Sequence, residues 1–395
     1  MSVKAQEVVL SQKVQAPVAQ VYQAFTTATW LCEWFCYDAQ LEAVPGGRFY
    51  AYWRQEKFYL MGEYLEVQPN KLISIRFQAK DDPEPSRVEV RFGEKKNQTE
   101  VSVEFKGRVS GQLEELWKNA LINLKTTQER GHQAELLGRP MLGVLLGGNI
   151  SAENAAQHNL PVSHGALISG TMAGLSAAEA GIRRGDVLVG LDGAEIAKFE
   201  DIGPVLSRRK VGDRIEAVFY RNGNRHTVGM ELKPRRFHPH PANPAELADQ
   251  QAPERAKLMK ELEALFLGVG ETQAAHRAAP EKWSANQVVA HLINVERDNQ
   301  TLLASLVVGT ELEVFTGNME ARVAATLKRF PSSKLLIQAL EDTYLETLEL
   351  IRALPESFLT HRASVARLQL LFEADAFHTR HHFDQIRTAL EAARG

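Results

Sequence analysis

Hydrophobic and polar positions alternate along the first third of the chain in a way that is typical of strands. Val88, Val90 and Phe92 alternate with polar residues, and further short stretches of this kind lie between turn residues. A period of two indicates half-buried strands. Residues 112–130 instead have helical spacing. The apolar face of this helix comprises Leu113, Trp117, Leu121 and Leu124. We therefore expect an antiparallel sheet followed by one long helix.

The centre of the chain has a strand followed directly by a tight turn. Val187, Val189 and Leu191 alternate at the two-residue period. Asp192 and Gly193 then predict the turn, because glycine adopts positive φ without steric cost. A second strand-rich segment is therefore expected here.

The last 150 residues change to a helical period. Four segments have this spacing: 253–269, 284–307, 332–354 and 363–393. Ser284 and Ser332 are suitable N-caps for the second and third segments. Four such helices predict an up-and-down four-helix bundle.

These patterns predict a multidomain chain with three modules. Their predicted ranges are 1–132, 138–236 and 245–395. The stretch 235–244 is rich in proline and is expected to be an extended linker that exposes His238 and His240.

Composition excludes several classes of protein. The 395 residues are 44% hydrophobic with a net charge of −3, so the whole chain lacks the basic character of a nucleic-acid binder. No apolar run reaches the roughly 20 residues that span a membrane. The N-terminal residues lack the apolar core of a signal peptide, so we expect a cytoplasmic protein. Cys32 and Cys36 provide no disulfide framework and make a poor zinc set, so we expect them to be buried as small apolar residues.

Three histidines occupy apolar faces of the predicted bundle. His378 and His382 are one turn apart, about 6 Å along the axis, and His291 lies on the second helix. The stripe on the last helix comprises Leu371, Ala374, His378, His382, Ile386 and Ala389. Imidazoles in this arrangement are able to bind one metal ion and leave a coordination position open. The alternative is a core of hydrogen-bonded histidines. His381 falls on the other flank of the helix and is predicted to be a neighbour.

The first module resembles START-like (SRPBCC) domains, and specifically homologues of the activator of the heat-shock ATPase chaperone. The resemblance is carried by Ala16-Pro17, Trp34-Phe35, Pro45 to Phe49, Gly62 to Tyr64, Pro69 and Trp117. It implies an α+β helix-grip fold, in which a sheet curls around the long helix and leaves an apolar cavity.

The same module is rich in aromatic residues. They are Trp30, Trp34, Tyr50, Tyr52, Trp53, Phe58, Tyr59 and Trp117. An aromatic wall suits a flat apolar ligand. A core filled by these rings is the alternative, and the sequence leaves both open. An apolar small molecule or a chaperone is the partner that the resemblance implies.

The second module resembles HtrA-like PDZ domains, which are mostly β. The string AEAGIRRGDVLVGLDG at 178–193 carries the resemblance. It implies that Leu142, Gly143 and Val144 form the loop that receives a peptide C-terminal carboxylate. The insert 147–161 is long and polar enough to lie over the binding groove, so a spacer role is the alternative.

The third module, predicted to be all-α, resembles the DinB-like superfamily. Trp283-Ser284, Ala290-His291-Leu292 and the string HTRHHFDQI at 378–386 carry the resemblance. The last string follows the pattern H-x-x-H-H-x-x-Q-I. The resemblance implies a divalent metal bound by His291, His378 and His382, and the spacing does not distinguish zinc, nickel and iron.

Two functions follow from these patterns. The first is a cytoplasmic multi-domain binding protein with an apolar cavity, a peptide-binding PDZ module and a metal-bound bundle. The alternative is a metal-dependent enzyme that resembles thiol S-transferases and uses the three histidines. Glu296 and Asp298 are predicted to be solvated surface residues. The sequence therefore identifies no catalytic acid or base, and the enzyme question stays open.

Overall fold

The computed structural model forms two compact units. Its described residues are 8–54, 56–80, 82–106, 110–310 and 319–394, without the side chains of residues 157 and 158. The first seven residues of the predicted N-terminal module lie outside this set. One unit combines residues 1–133 with 238–395, and the other is residues 134–237. The first and third predicted modules therefore share a unit, while the exact module boundaries stay predictions.

The N-terminal part of the first unit is an antiparallel sheet. Two short helices lie between its first and second strands in sequence, and one long helix follows its last strand. Its elements are β1 Val9–Val14, α1 Val18–Thr26, α2 Ala28–Cys32, β2 Asp38–Leu41, β3 Arg48–Trp53, β4 Phe58–Gln68, β5 Leu72–Ala79, β6 Ser86–Lys95, β7 Gln98–Lys106 and α3 Gly111–Arg130. The seven strands have the order β1-β7-β6-β5-β4-β3-β2. Val90 pairs with Val103 in the β6–β7 hairpin. The α+β fold expected of this module is confirmed.

Helix α3 follows the sheet because both of its ends are specified locally. The Ser110 side chain accepts a hydrogen bond from the Leu113 N–H, and Gly131 ends the helix with a φ of 80°. The predicted face with Trp117, Leu121 and Leu124 packs into one core with the sheet. The predicted long helix is confirmed.

The aromatic residues of this module do not form one wall. Phe35 packs against Trp34, Trp53 and Trp117, with ring centroids 4.7–5.2 Å apart. The tyrosines at 50, 52 and 59 stack on one another instead. Phe49 and Ala51 are buried, and side chains alternate along a strand, so Tyr50 and Tyr52 lie on the opposite face of the sheet from the core. The aromatic residues are therefore divided between the core and the opposite face of the sheet, and both the ligand cavity and the filled core stay predictions.

The second unit is a small sheet with short helices. Its elements are α4 Ala134–Gly138, β8 Pro140–Met141, β9 Val144–Ile150, β10 Gly165–Thr171, α5 Ser176–Glu179, β11 Val187–Leu191, β12 Ala194–Glu195, α6 Ile202–Leu206, β13 Arg214–Arg221, β14 Asn224–Glu231 and β15 Lys233–Pro234. The main sheet has the order β14-β13-β11-β10-β9, with β12 paired to β11. Strand β9 is therefore at an edge, and the mostly-β prediction is confirmed.

Strand β11 is present as predicted, but its alternation is not regular. Val187 and Val189 pack with Ile150 on one side, whereas Leu191 belongs to the main core of this unit. The pairing with β13 shifts between Leu188 and Gly190. Such an irregularity reverses the face of the residues that follow it.

Part of the insert predicted as a polar loop is also ordered strand. The residues Gly147 to Ile150 continue β9, and Ile150 and Ala155 pack against Val187. The insert is therefore tied to the sheet by its own apolar side chains.

The C-terminal part of the first unit is helical. Its elements are α7 Pro244–Phe266, α8 Glu271–Ala274, α9 Ala285–Val307, α10 Met319–Arg329, α11 Ser333–Arg352 and α12 Arg362–Ala392. At the start of α9 the Ser284 hydroxyl accepts from the Gln287 N–H, and the Gln287 side chain accepts from the Ser284 N–H. Ser284 and Ser332 thus cap α9 and α11, as predicted. The all-α prediction is confirmed, and α8 and α10 are additional helices that it did not include.

The first long helix begins earlier than predicted. The Asn243 side chain accepts from the Glu246 N–H and Pro244 opens α7, so Pro253 lies inside the helix. The predicted start at residue 253 is therefore wrong, and the proline within the helix is accommodated after its second turn. Among the described residues, no helix combines the length and apolar composition that crossing a membrane requires.

The linker lies along α12. His238 Nε2 is 3.2 Å from a carboxylate oxygen of Glu373, and the Gln369 side chain donates to the Pro239 carbonyl. His238 is exposed as predicted, but these contacts hold the linker against the bundle.

The two parts of the first unit are joined by partly buried polar contacts. Gln20 Nε2 donates to Gln128 Oε1 within the N-terminal part and to the Thr360 carbonyl of the helical part, both at 2.7 Å. The Ser364 hydroxyl at the start of α12 donates to the Glu33 carboxylate. These contacts place the beginning of α12 against the N-terminal part.

Candidate metal centre

Three histidines from two helices converge inside the helical part. His291 lies on α9, and His378 and His382 lie on α12. One ring nitrogen from each falls within 4.8 Å of the others. Ring centroids are 4.4 Å apart for His378 and His382 and 4.6 Å apart for His291 and His382. The structure therefore brings together all three histidines that the sequence singled out.

The ring nitrogens are oriented for a shared ligand. The Nε2 atoms of His378 and His382 are 3.0 Å apart. The Nδ1–H of His382 donates to Gln385 Oε1 at 2.9 Å. An amide oxygen only accepts, so this bond leaves the Nε2 of His382 with its lone pair. A metal ion bound by both Nε2 atoms would replace this direct contact.

Burial keeps these imidazoles neutral. Burial, with a smaller contribution from His378, lowers the pKa of His291 to about 4 and that of His382 to about 3. Burial also lowers the pKa of His378. Neutral imidazoles offer the lone pairs that a metal requires. The donor set therefore fits a divalent transition metal.

The buried stripe of α12 is displaced from the predicted one. Its buried residues include Phe372, Asp375, Ala376, Thr379, His382, Phe383 and Ile386. Ala374 is exposed and His378 lies at the edge of the stripe. The site is thus more open on the side of His378. His381 is exposed and is not part of the cluster, in agreement with its predicted position.

Two neighbours of the cluster were not assigned a role from sequence. The Trp283 ring is 5.2 Å from the His291 ring, and Gln385 orients His382. Gln385 follows His382 by three residues. Side chains with this spacing are neighbours on a helix, so the sequence could have predicted the contact. Trp283 precedes the N-cap Ser284, and its distance from His291 depends on how the chain enters α9.

Glu296 is not a surface residue, contrary to the prediction. It is 1% exposed and accepts from Arg255 Nη2 at 2.5 Å and from Asn299 at 3.3 Å. Asp298 is partly exposed and receives two hydrogen bonds from Arg322. Both carboxylates are therefore engaged by arginines. Arg255 lies on α7 and Arg322 on α10. The sequence around Glu296 and Asp298 gives no information about residues on these other helices.

The loop predicted to bind a carboxylate lies at the start of the edge strand β9. The Leu142 and Gly143 carbonyls accept from the Ala177 and Met172 N–H groups. A trans peptide places the next N–H opposite each carbonyl, so the N–H groups of Gly143 and Val144 point away from these contacts. Gly143 has a φ of 72°, and a Cβ there would overlap Leu175. Glycine is therefore required at this position.

The N-terminal core contains polar atoms without partners. Among the described residues of this part, three buried atoms make no hydrogen bond: Thr29 Oγ1, Trp30 Nε1 and Trp117 Nε1. Leaving such a group unpaired costs about 1–3 kcal/mol.

Comparison with protein families assigns the three segments. The family of Activator of Hsp90 ATPase homolog 1-like proteins matches residues 15–129, the PDZ domain matches residues 157–232 and the DinB superfamily matches residues 255–386. Each segment was expected from the residues quoted above.

The curated relatives share only a short stretch with this chain. The periplasmic serine endoprotease DegP of Salmonella typhimurium is 34% identical over 95 residues, which cover 24% of this chain and 20% of DegP. The periplasmic pH-dependent serine endoprotease DegQ of Escherichia coli is 31% identical over 94 residues, with the same coverage. The chain thus spans about a fifth of the length of these relatives.

Solved structures resemble part of the chain. The Aha1 dimer from Colwellia psychrerythraea is 19% identical and covers 31% of this chain and 94% of its own, with a TM-score of 0.28. An HSP90 activator from Plasmodium falciparum has the same identity and coverage, with a TM-score of 0.27. From the family matches, this chain carries an Hsp90-activator-like module, a PDZ module and a DinB-like module in that order.

Proposed function

We propose that this chain is a cytoplasmic multi-domain binding protein whose DinB-like bundle binds a divalent transition metal through His291, His378 and His382. The convergence of three neutral imidazoles carries the proposal. Three nitrogen ligands suit zinc, nickel or iron, and they leave a coordination position for a further ligand. When bound, the ion would supply a Lewis acid at the more open side of the site.

The state of the nearby carboxylates favours binding over catalysis. Glu296 is paired with Arg255, and Asp298 with Arg322. A general base has to reach the reacting proton, and the ion pair with arginine holds each of these carboxylates in a fixed position. A metal-dependent thiol S-transferase is therefore the second candidate, supported only by the open side of the site next to His378.

The PDZ module would add peptide binding. Strand β9 is an edge strand, and an extended peptide is able to pair with such an edge. The N–H groups of Gly143 and Val144, turned away from the protein contacts, would receive the carboxylate of the peptide.

The N-terminal module would bind a small molecule or a chaperone. The orphaned Thr29 hydroxyl and Trp117 indole N–H support a ligand with an apolar body and one polar group. An apolar fluorescent probe added to the full chain should be displaced by flat hydrophobic compounds that carry a hydroxyl or carbonyl group. A probe that stays free in solution would remove this part of the proposal.

Metal analysis of the purified chain tests the main proposal. We expect about one divalent ion per chain, lost in His291→Ala and His382→Ala and retained in the matched variant His381→Ala. Removal of the ion by a chelator should lower the melting temperature, because the ion binds only the folded state. Absence of stoichiometric metal after zinc, nickel and iron have each been supplied would reduce the three residues to core histidines.

A further inference from the structure

The two cysteines of the chain lie side by side. The Sγ atoms of Cys32 and Cys36 are 4.0 Å apart, in the N-terminal part of the first unit. The sequence contains no other cysteine. The sequence predicted that both thiols are buried as small apolar residues. It did not predict that their sulfur atoms are in contact.

The backbone around this pair is able to bring the sulfurs closer. Helix α2 ends at Cys32, and the turn that follows is closed by a hydrogen bond from the Phe35 N–H to the Leu31 carbonyl. Cys36 follows that turn outside the helix. A disulfide requires the sulfurs to approach to about 2.05 Å. The approach of about 2 Å is within reach of side-chain rotation combined with a small adjustment of the turn.

The two thiols differ in their access to solvent. Cys36 is 7% exposed and belongs to the core, whereas Cys32 is only partly buried and packs against the edge of that core. Burial, together with the adjacent Cys32, raises the pKa of the Cys36 thiol well above its usual value. A soluble oxidant therefore meets Cys32 first, and Cys36 is available only to a partner already inside the protein.

We propose that Cys32 and Cys36 form a reversible intramolecular disulfide on reaction with a low-molecular-weight disulfide. The Cys32 thiolate attacks one sulfur of the small disulfide, forms a mixed disulfide and releases one small thiolate. Cys36 then loses its proton to solvent and attacks the sulfur of Cys32, which expels the second small thiolate. The protein dithiol is oxidised by two electrons, and the small disulfide is reduced to two thiols.

The cysteines are not part of the cluster of three histidines. In a reducing cytoplasm such a bond would be transient, as is usual for redox-responsive thiols. Its formation would require no metal and no peptide.

Mass spectrometry of the full-length chain tests the proposal. The folded protein is incubated with oxidised glutathione, and free thiols are then alkylated after denaturation. We expect the wild type to lose two hydrogen atoms in mass and both alkylation sites, and to regain them with dithiothreitol.

Two single variants serve as matched controls. Cys36→Ser should accumulate a stable glutathione adduct on Cys32, because the internal thiol that would displace it is absent. Cys32→Ser should remain unmodified over the same time, because Cys36 is buried. A wild type that keeps both thiols, stops at the mixed disulfide or forms disulfide-linked dimers would overturn the proposal.

Discussion

The indole of Trp30 stacks on the imidazole of His361, with ring centroids 3.8 Å apart and planes 9° from parallel. Trp30 lies on α2, and His361 immediately precedes α12. Gly309, after α9, completes the contact, because a Cβ there would overlap Thr27 and lie against the indole. The N-terminal part thus inserts a tryptophan against the helical part of the same unit.

Removal of the indole should weaken this contact strongly. Trp30→Ala should lower the free energy of unfolding by about 3–5 kcal/mol, since a buried aromatic ring is lost. Urea unfolding followed by far-UV circular dichroism should then show the N-terminal and helical parts unfolding in separate steps.

Tyr37→Ala is the control for Trp30→Ala, because Tyr37 is 56% exposed. It should change stability by about 0.5 kcal/mol or less. A single unfolding transition with unchanged midpoint in Trp30→Ala would contradict a role for this stack in joining the two parts.

The same contact predicts a pH dependence of stability. Burial lowers the pKa of His361 to about 4, against about 6.5 in the unfolded chain. Between these values the unfolded state binds more protons, so the contribution of His361 to stability is present above pH 6.5 and is lost as the pH falls toward 4.

The measurement for this prediction compares wild type with His361→Gln in urea at pH 7, 6 and 5. Other groups titrate in both proteins, so the difference between the two isolates His361. That difference should shrink as the pH falls. A difference that stays constant or grows would show that His361 is protonated in the folded state.

Gln385 should contribute to metal affinity without binding the metal. Gln385→Leu removes the acceptor for the His382 Nδ1–H and should weaken metal binding about 10–100-fold. Titration with zinc against a competing chelator measures the effect. Gln385→Glu keeps an acceptor and should retain most of the affinity. Equal affinity of Gln385→Leu and wild type would rule out this orienting role.

The buried pair of Arg255 and Glu296 should respond differently to single and double substitution. Glu296→Gln weakens the partner of a buried guanidinium and should cost about 3–5 kcal/mol. Arg255→Met combined with Glu296→Leu removes both charges and should cost less than the single change. Thermal unfolding compares the two variants, and a double variant that loses more stability than Glu296→Gln would contradict this pairing.

The PDZ module should distinguish peptides by their C-terminus. Peptides with a free carboxylate should bind about 10–100-fold more tightly than the same peptides amidated, since charge-assisted hydrogen bonds of about 1.5–3 kcal/mol are lost. Fluorescence anisotropy with the full chain measures both forms. Equal affinities, or none, would favour a spacer role for the module.

Local patterns determined much of this protein. Alternation predicted strand β6, and helical spacing with serine caps predicted α9 and α11. The spacing of His378 and His382 predicted two rings one turn apart on the same face of a helix. These features depend on a few neighbouring residues, because strand and helix periods place side chains on a face without any knowledge of the rest of the fold.

Tertiary structure decided which side chains meet across elements. Nothing near Trp30 in sequence identifies His361 as its partner, and nothing near Glu296 identifies Arg255. The 4.0 Å contact between Cys32 and Cys36 depends on how the chain turns after α2, and the displaced stripe of α12 depends on the helices packed around it. A sequence period predicts which face of an element is apolar. The partner of each residue instead depends on the relative positions of whole elements, and these positions are determined by close packing of the core.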